Sequence, residues 1–230
     1  MRRCLFALLF ALLAMNLPAA DLPPAFKAVY VVRKGPFELG RSTRQLQYGS
    51  DGQLVFRSDS DTSGLADLLF SEHIRETTRL QRQGDHVLPE EYRYRQNGKR
   101  RREISQQFDW KQGQVTSKVN DQVYEFPIQP GTLDQSGYQV KLMMDLASGS
   151  REFSYHIAGS KNLRTYDIDN LGDERVKTVL GPLNTVVIQR KDEQTTTMWC
   201  AYDLHFLPVK IQHEEDGNTF TAYLESVEGL

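Results

Sequence analysis

The chain has 230 residues, a formal net charge of −2 and 39% hydrophobic residues. That length suffices for one β-rich domain with a real core, or for two small ones. The mild acidity gives no global pull towards nucleic acid or anionic membranes, and two cysteines exclude a disulfide-stapled scaffold.

Met1-Arg2-Arg3 precedes an apolar run from Leu5 to Leu17, interrupted only by Asn16, and Pro18-Ala19-Ala20 follows. A positive start, a short apolar stretch and small residues at its end describe a secretory signal peptide over residues 1–20. A comfortable membrane span would need about 20 apolar residues. Cys4 lies before the apolar run, where a lipidated cysteine would lie after it. The expected mature chain, residues 21–230, is a single β-rich domain that loses Arg2 and Arg3 and keeps only Cys200. Export without a disulfide fits a bacterial periplasm, and no transmembrane span is expected once the signal is cleaved.

From Phe26 onward, short strand-like runs alternate with turn signals. Phe26–Arg33 leads into Gly35-Pro36, Phe37–Tyr48 into Gly49-Ser50-Asp51-Gly52, and Gln53–Ser58 follows. In the second run Phe37 and Leu39 share one parity while Leu46 and Tyr48 share the other. A one-residue slip is therefore expected, with Gly40 a natural place for a bulge. Ser63–Phe70 is a short apolar patch expected at the rim. Glu72–Gln81 and Glu90–Gln96 read as neighbouring strands joined through Gly84-Asp85 and Leu88-Pro89, and Asn97-Gly98 is the clearest hairpin signal. Ile104, Phe108 and Trp110 then alternate with polar residues, before Val115–Val119 and Val123–Ile128.

Thr132–Gly149 carries the one convincing helical rhythm. Tyr138, Leu142, Met143, Leu146 and Ala147 recur at three- and four-residue steps, with Gln135, Gln139, Lys141 and Asp145 mostly opposite. Thr132 and Gln135 have capping-box spacing, Asp134 adds a favourable charge at the start, and Gly149 is a plausible stop. The strand pattern resumes with Phe153–Ile157, Leu163–Ile168, Arg175–Leu180, Thr185–Arg190, Thr195–Tyr202, Pro208–His213 and Thr219–Val227. These spacings predict an antiparallel meander with one solvated face. The fold class expected is mainly β: a curled sheet or partly open barrel with one inserted amphipathic helix at about residues 133–147. Leu88-Pro89 and Leu207-Pro208 each precede an alternating strand, a weak echo between the two halves.

Phe108-Asp109-Trp110, Leu133-Asp134 at the helix start and the block Thr195–Leu224, with Trp199, Leu207-Pro208 and Gly217, resemble the family of exported bacterial proteins of unknown function called DUF3108. The resemblance spans roughly residues 26–225 and rests on structural punctuation, with no catalytic motif. That family's architecture resembles the periplasmic lipoprotein carriers of the LolA/LolB type. The resemblance implies acyl chains held between sheet and helix, and it transfers no binding residue.

Candidate sites follow from the same pattern. A ligand-lining set combines Tyr138, Leu142, Met143 and Leu146 on the helix with Phe108, Trp110 and Trp199 on the sheet; Met143-Met144 suits a greasy, adaptable surface, or ordinary gap filling in a core. Arg93, Arg95, Lys99, Arg100, Arg101 and Arg102, with Tyr92 and Tyr94 interleaved, form a basic hairpin. It could bind lipid phosphates or an acidic partner protein, or be a solvated tip whose charges protect an edge strand; export argues against nucleic acid. Cys200 has Asp203 and His205 nearby, but strand alternation leaves those two in the turn, so packing is its expected role. Asp59, Asp61, Ser63 and Gly64 imitate the start of a calcium loop whose twelfth position is Phe70, and Asp167, Asp169 and Gly172 fail similarly; both are expected to be turns. The five histidines have no metal-ligand spacing, so neither metal nor cofactor is expected. The expected function is non-enzymatic: binding of an acyl-chain lipid or other apolar envelope ligand, or docking of an envelope protein through the basic hairpin. A hydrolase is the third reading.

Overall fold

The computed structural model describes residues 22–63, 72–84, 86–98, 101–192 and 194–230. The signal peptide expected at 1–20, the apolar patch expected at Ser63–Phe70 apart from Ser63, and Lys99 and Arg100 fall outside them. The first half runs β1 (Phe26–Lys34), β2 (Phe37–Tyr48), β3 (Gln53–Thr62), β4 (His73–Gln83), β5 (His86–Asn97), β6 (Arg102–Asp109), β7 (Gln114–Val119) and β8 (Gln122–Pro127). Then come β9 (Leu133–Asp134), helix α1 (Tyr138–Ala147), β10 (Phe153–Ala158), β11 (Leu163–Thr178), β12 (Gly181–Lys191), β13 (Thr195–Ala201), β14 (Leu207–Glu215) and β15 (Asn218–Glu228).

Among the described residues, 15 strands belong to one sheet ordered β8-β7-β6-β5-β4-β3-β2-β1-β15-β14-β13-β12-β11-β10-β9. Every strand pairs with its sequence neighbour, the first with the last, except at one place: β8 and β9 do not pair. The barrel is therefore left open where the chain leaves the sheet to build the helix. Side chains draw the two ends together, since the Gln106 amide donates to the carbonyls of Ala158 and Gly159, and Ser117 Oγ donates to the Ser160 carbonyl.

Helix α1 fills the concave side. Tyr138, Val140, Leu142, Met143, Met144 and Leu146 are all 0–5% exposed and join one core with β1–β5 and β10–β15. Its C-terminus is a Schellman stop: Gly149, at φ +84°, donates to Leu146, and Ser150 donates to Asp145. The start differs from the expected capping box. Thr132 Oγ1 instead accepts from Gln129, and Leu133-Asp134 adds a short parallel strand beside Ile157-Ala158. The helix begins only at Tyr138, because the groups that would have capped it earlier are engaged in this turn and strand.

Strand alternation accounts for most of the remainder, and the bulges account for the curl. Val32 pairs with Gly40 and Arg33 with Glu38, so Leu39 is the extra residue, one position from the expected bulge. Gly40 packs against the neighbouring strand: a Cβ there would lie 2.0 Å from the Asp61 carbonyl oxygen, so β3 would have to move. Gly40→Ala is expected to cost about 1–3 kcal/mol, seen as a lower urea midpoint.

Three expectations about local structure change. Leu163–Ile168 and Arg175–Leu180 form the single strand β11, continued through a bulge between Asn170 and Gly172. Asp59 and Asp61 lie in β3, and Asp167 and Asp169 in β11, where turns are expected from the sequence. Leu88-Pro89 is not a turn but lies inside β5. Pro89 and Pro208 each sit beside a bulge, with Glu90 and Val209 left without ladder partners. Each proline carbonyl accepts a bond from an aromatic side chain: Trp110 Nε1 to Pro89 at 2.7 Å, and Tyr30 OH to Pro208 at 2.8 Å. The echo between the halves thus extends to hydrogen bonding.

Candidate functional site

Registers across β2–β5 sort the concave face into rows. Leu46, Phe56, Thr78 and Tyr92 form one row, and Arg44, Ser58, Glu76 and Tyr94 form the next. Ser42, Ser60, Ile74 and Gln96 form a third. The floor nearest Leu46, Leu54, Phe56 and Leu80 is buried and apolar, whereas the two upper rows are mostly polar and partly exposed. The start of α1 meets the boundary between them.

At this boundary the polar groups converge. Asp134, fully buried, accepts through Oδ1 from Thr78 Oγ1 at 2.8 Å, Ser136 N at 2.8 Å and Gly137 N at 2.7 Å. Burial nevertheless raises its carboxyl pKa above the usual range, the three hydrogen bonds opposing. Glu76 accepts from Tyr92 OH at 2.9 Å; burial, with the Asp134 charge assisting, lifts its pKa to about 7 against the pull of Tyr92 and Arg44. Arg44 donates from Nη1 to Gln139 Oε1 on the helix at 2.6 Å. From the opposite wall Arg190 lies 4.1 Å from the Tyr166 ring centroid and donates from Nη1 to Tyr138 OH at 3.4 Å. Two arginines from different walls thus reach the first turn of α1.

This cluster leaves bonding capacity unused. Among the described residues the Nε atoms of Arg44 and Arg190, Asp134 Oδ2 and Ser136 Oγ are buried without a hydrogen-bond partner, although Arg190 Nε lies 3.2 Å from the Asp192 carboxylate. Unpaired buried polar atoms are costly, and these stand beside an apolar floor.

Of the seven residues expected to line one cavity, five fall in one buried cluster and two pack elsewhere. Tyr138, Leu142, Met143, Leu146 and Trp199 lie in the main core. Phe108 and Trp110 stack on each other at 6.1 Å and pack with Val115, Phe126, Ile128 and Ala158 near the sheet ends. Trp199 alternates to the face opposite Met198 and Cys200, donates to Glu174 at 2.8 Å and lies under Lys210 Nζ. Because β13 is buried on both faces, alternation alone could not tell which side is interior.

Of the basic hairpin, Arg93 pairs with Glu91, Arg95 and Arg101 pair with Glu103, and Arg102 donates to Ser160 Oγ. Arg93, Arg95 and Arg101, with Arg75 and Lys118, border an open groove of about 1000 Å³. Cys200 is 1% exposed and burial pushes its thiol up to about 12, while Asp203 and His205 are exposed in the following turn. Sequence reasoning missed Arg44, Glu76 and Arg190 and gave Asp134 only a charge at the helix start. The available signal was Arg44 sharing its strand parity with the buried Leu46.

A curled, unclosed and mainly antiparallel sheet wrapped around the buried helix α1 defines a β-barrel-like protein. The chain matches the family described as "Protein of unknown function (DUF3108)" over residues 29–225, and it belongs to that family. Among solved structures it is similar to a β-barrel-like protein of the domain of unknown function DUF1849 from Brucella abortus. The TM-score is 0.57 at 11% identity, covering 90% of this chain and 98% of that one. A DUF1329 family protein from Desulfovibrio piger aligns at 10% identity over 94% of this chain and 90% of that one, with a TM-score of 0.24. No curated protein matches the chain. Among the described residues no helix is long and apolar enough to cross a membrane.

Proposed function

We propose that the protein is an exported, periplasmic, non-enzymatic module that holds an amphiphile, an acyl chain with an anionic head, between sheet and helix. The observation that carries this is the start of α1, where Arg44 presents an unpartnered buried Nε and Arg190, its Nε facing Asp192, reaches in from the opposite wall, both beside an apolar floor. Met143 and Met144, buried on α1, can repack around a chain at little cost because methionine has three flexible bonds. The leader expected at residues 1–20 supports export. A binding role is favoured over a hydrolytic one because Cys200 is buried with a raised pKa, away from the exposed His205.

The test is native mass spectrometry of delipidated protein titrated with oleate and with lysophosphatidylglycerol. A one-to-one complex is expected, weakened about tenfold or more in Arg44→Gln, the worth of one charge-assisted hydrogen bond. No complex, or one indifferent to Arg44→Gln and to Arg190→Gln, would end this reading.

A second reading has one observation in its favour. The outer groove bordered by Arg75, Arg93, Arg95, Arg101 and Lys118 suits an acidic envelope partner, though most of these cations already face carboxylates.

A further inference from the structure

β11 and β12 run beyond the body of the sheet. Strand β10 covers β11 only as far as Ile168, and β13 covers β12 only from Thr185. The last four pairs, Arg175–Asn184 to Thr178–Gly181, form a two-stranded arm about 13 Å long at 3.3 Å per residue. Its root is fixed: Val176 is buried in the core, Leu183 packs against that core, and the turn Tyr202–Leu204 contacts β12.

The tip is apolar and exposed. Val179 and Leu180 occupy the two turn positions, at 67% and 49% exposure. Thr178 Oγ1 donates to the Gly181 carbonyl and accepts from Leu180 N, and Gly181 takes φ +100°, so the turn holds both apolar side chains outward. Turns of this length usually carry Asn, Asp or Gly, and a β-branched residue followed by leucine breaks that preference. Local rules are broken most often where function demands it. Arg175 and Lys177 flank the tip, both exposed, and no Asp or Glu occurs from Arg175 through Lys191. Behind the arm Tyr202 is 37% exposed, with its hydroxyl bonded to Asp173.

We infer that the Arg175–Asn184 arm is a membrane-docking element: Val179 and Leu180 enter the headgroup boundary of an anionic lipid surface, and Arg175 and Lys177 engage its phosphates. The shape selects the occupant. A stable protein interface buries about 800 Å² on each partner, which a narrow convex tip does not offer, whereas a lipid surface deforms around it. Like charges on two such tips also oppose pairing between copies. Docking of this kind does not depend on the interior holding a ligand.

Flotation of the mature protein with phosphatidylethanolamine vesicles, with and without phosphatidylglycerol, tests it. Partitioning onto the anionic vesicles is expected, weakening as salt rises. Val179→Ser with Leu180→Ser should lower the partition coefficient about tenfold. Arg175→Gln with Lys177→Gln should remove the preference for phosphatidylglycerol. Both variants replace exposed residues and should keep the wild-type melting curve and oleate uptake, which separates this proposal from the one for the interior. Equal flotation of wild type and the Val179/Leu180 variant, or no flotation of either, overturns the proposal. So does a wild-type dimer in analytical ultracentrifugation that the same variant dissociates.

Discussion

Asp134→Ala should destabilise the protein by about 3 kcal/mol or more. The alanine leaves Thr78 Oγ1, Ser136 N and Gly137 N without their acceptor in a site closed to water. Each buried donor so orphaned costs about 1–3 kcal/mol, and relief of the buried carboxylate offsets part of the total. Asp134→Asn keeps an amide oxygen where Oδ1 stands and should retain most of the stability. Guanidinium unfolding of the three proteins measures the difference. An alanine variant within about 1 kcal/mol of wild type would mean that Asp134 does not organise the helix start.

A fall in stability between pH 5 and pH 8 is the second large effect, and it comes from Glu76. Its pKa stands at about 7 in the folded protein against 4.5 for the free carboxyl. Between those values the folded chain holds a proton that the unfolded chain has released. Stability from this group is therefore complete below the lower value and is lost as pH rises through the upper one. The full span corresponds to about 3 kcal/mol, and the partial exposure of Glu76 trims it to about 2 kcal/mol. The raised pKa of Asp134 acts in the same direction. Urea midpoints across this range should slope downward in wild type and flatten in Glu76→Gln. Asp134→Asn should shift the slope to lower pH, because the Asp134 charge is one cause of the Glu76 shift. A wild-type profile already flat would place Glu76 in ordinary solvent.

Much of the architecture was legible because strand periodicity and turn chemistry are local. The end of β2 at Tyr48, the Asn97-Gly98 hairpin and the stop at Gly149 all follow from neighbours a few residues apart. The start of α1 was misread because the Thr132 hydroxyl and the Asp134 carboxylate are engaged by Gln129 and by Thr78, a residue 56 positions away along the chain. A bulge at Gly172 likewise carries β11 through what reads as a break.

The polar rows on the concave face were hidden for a different reason. Ser42, Ser58, Ser60 and Glu76 look like the solvated side of a strand until curvature folds them inward. Phe108, Trp110 and Trp199 look interchangeable as candidate lining. Only the three-dimensional course of the sheet separates the Phe108–Trp110 stack from α1 and turns Trp199 to the other face.

Amide hydrogen exchange along residues 138–147 of the ligand-free protein tests most directly whether this helix is the centre about which the sheet closes. The account predicts exchange as slow as that of β1, β13 and β14, with further slowing when an amphiphile is bound. Exchange as fast as in the exposed turns around Gly35 and Gly217 would contradict it, because the helix would then lie outside the core on which both the fold and the proposed site depend.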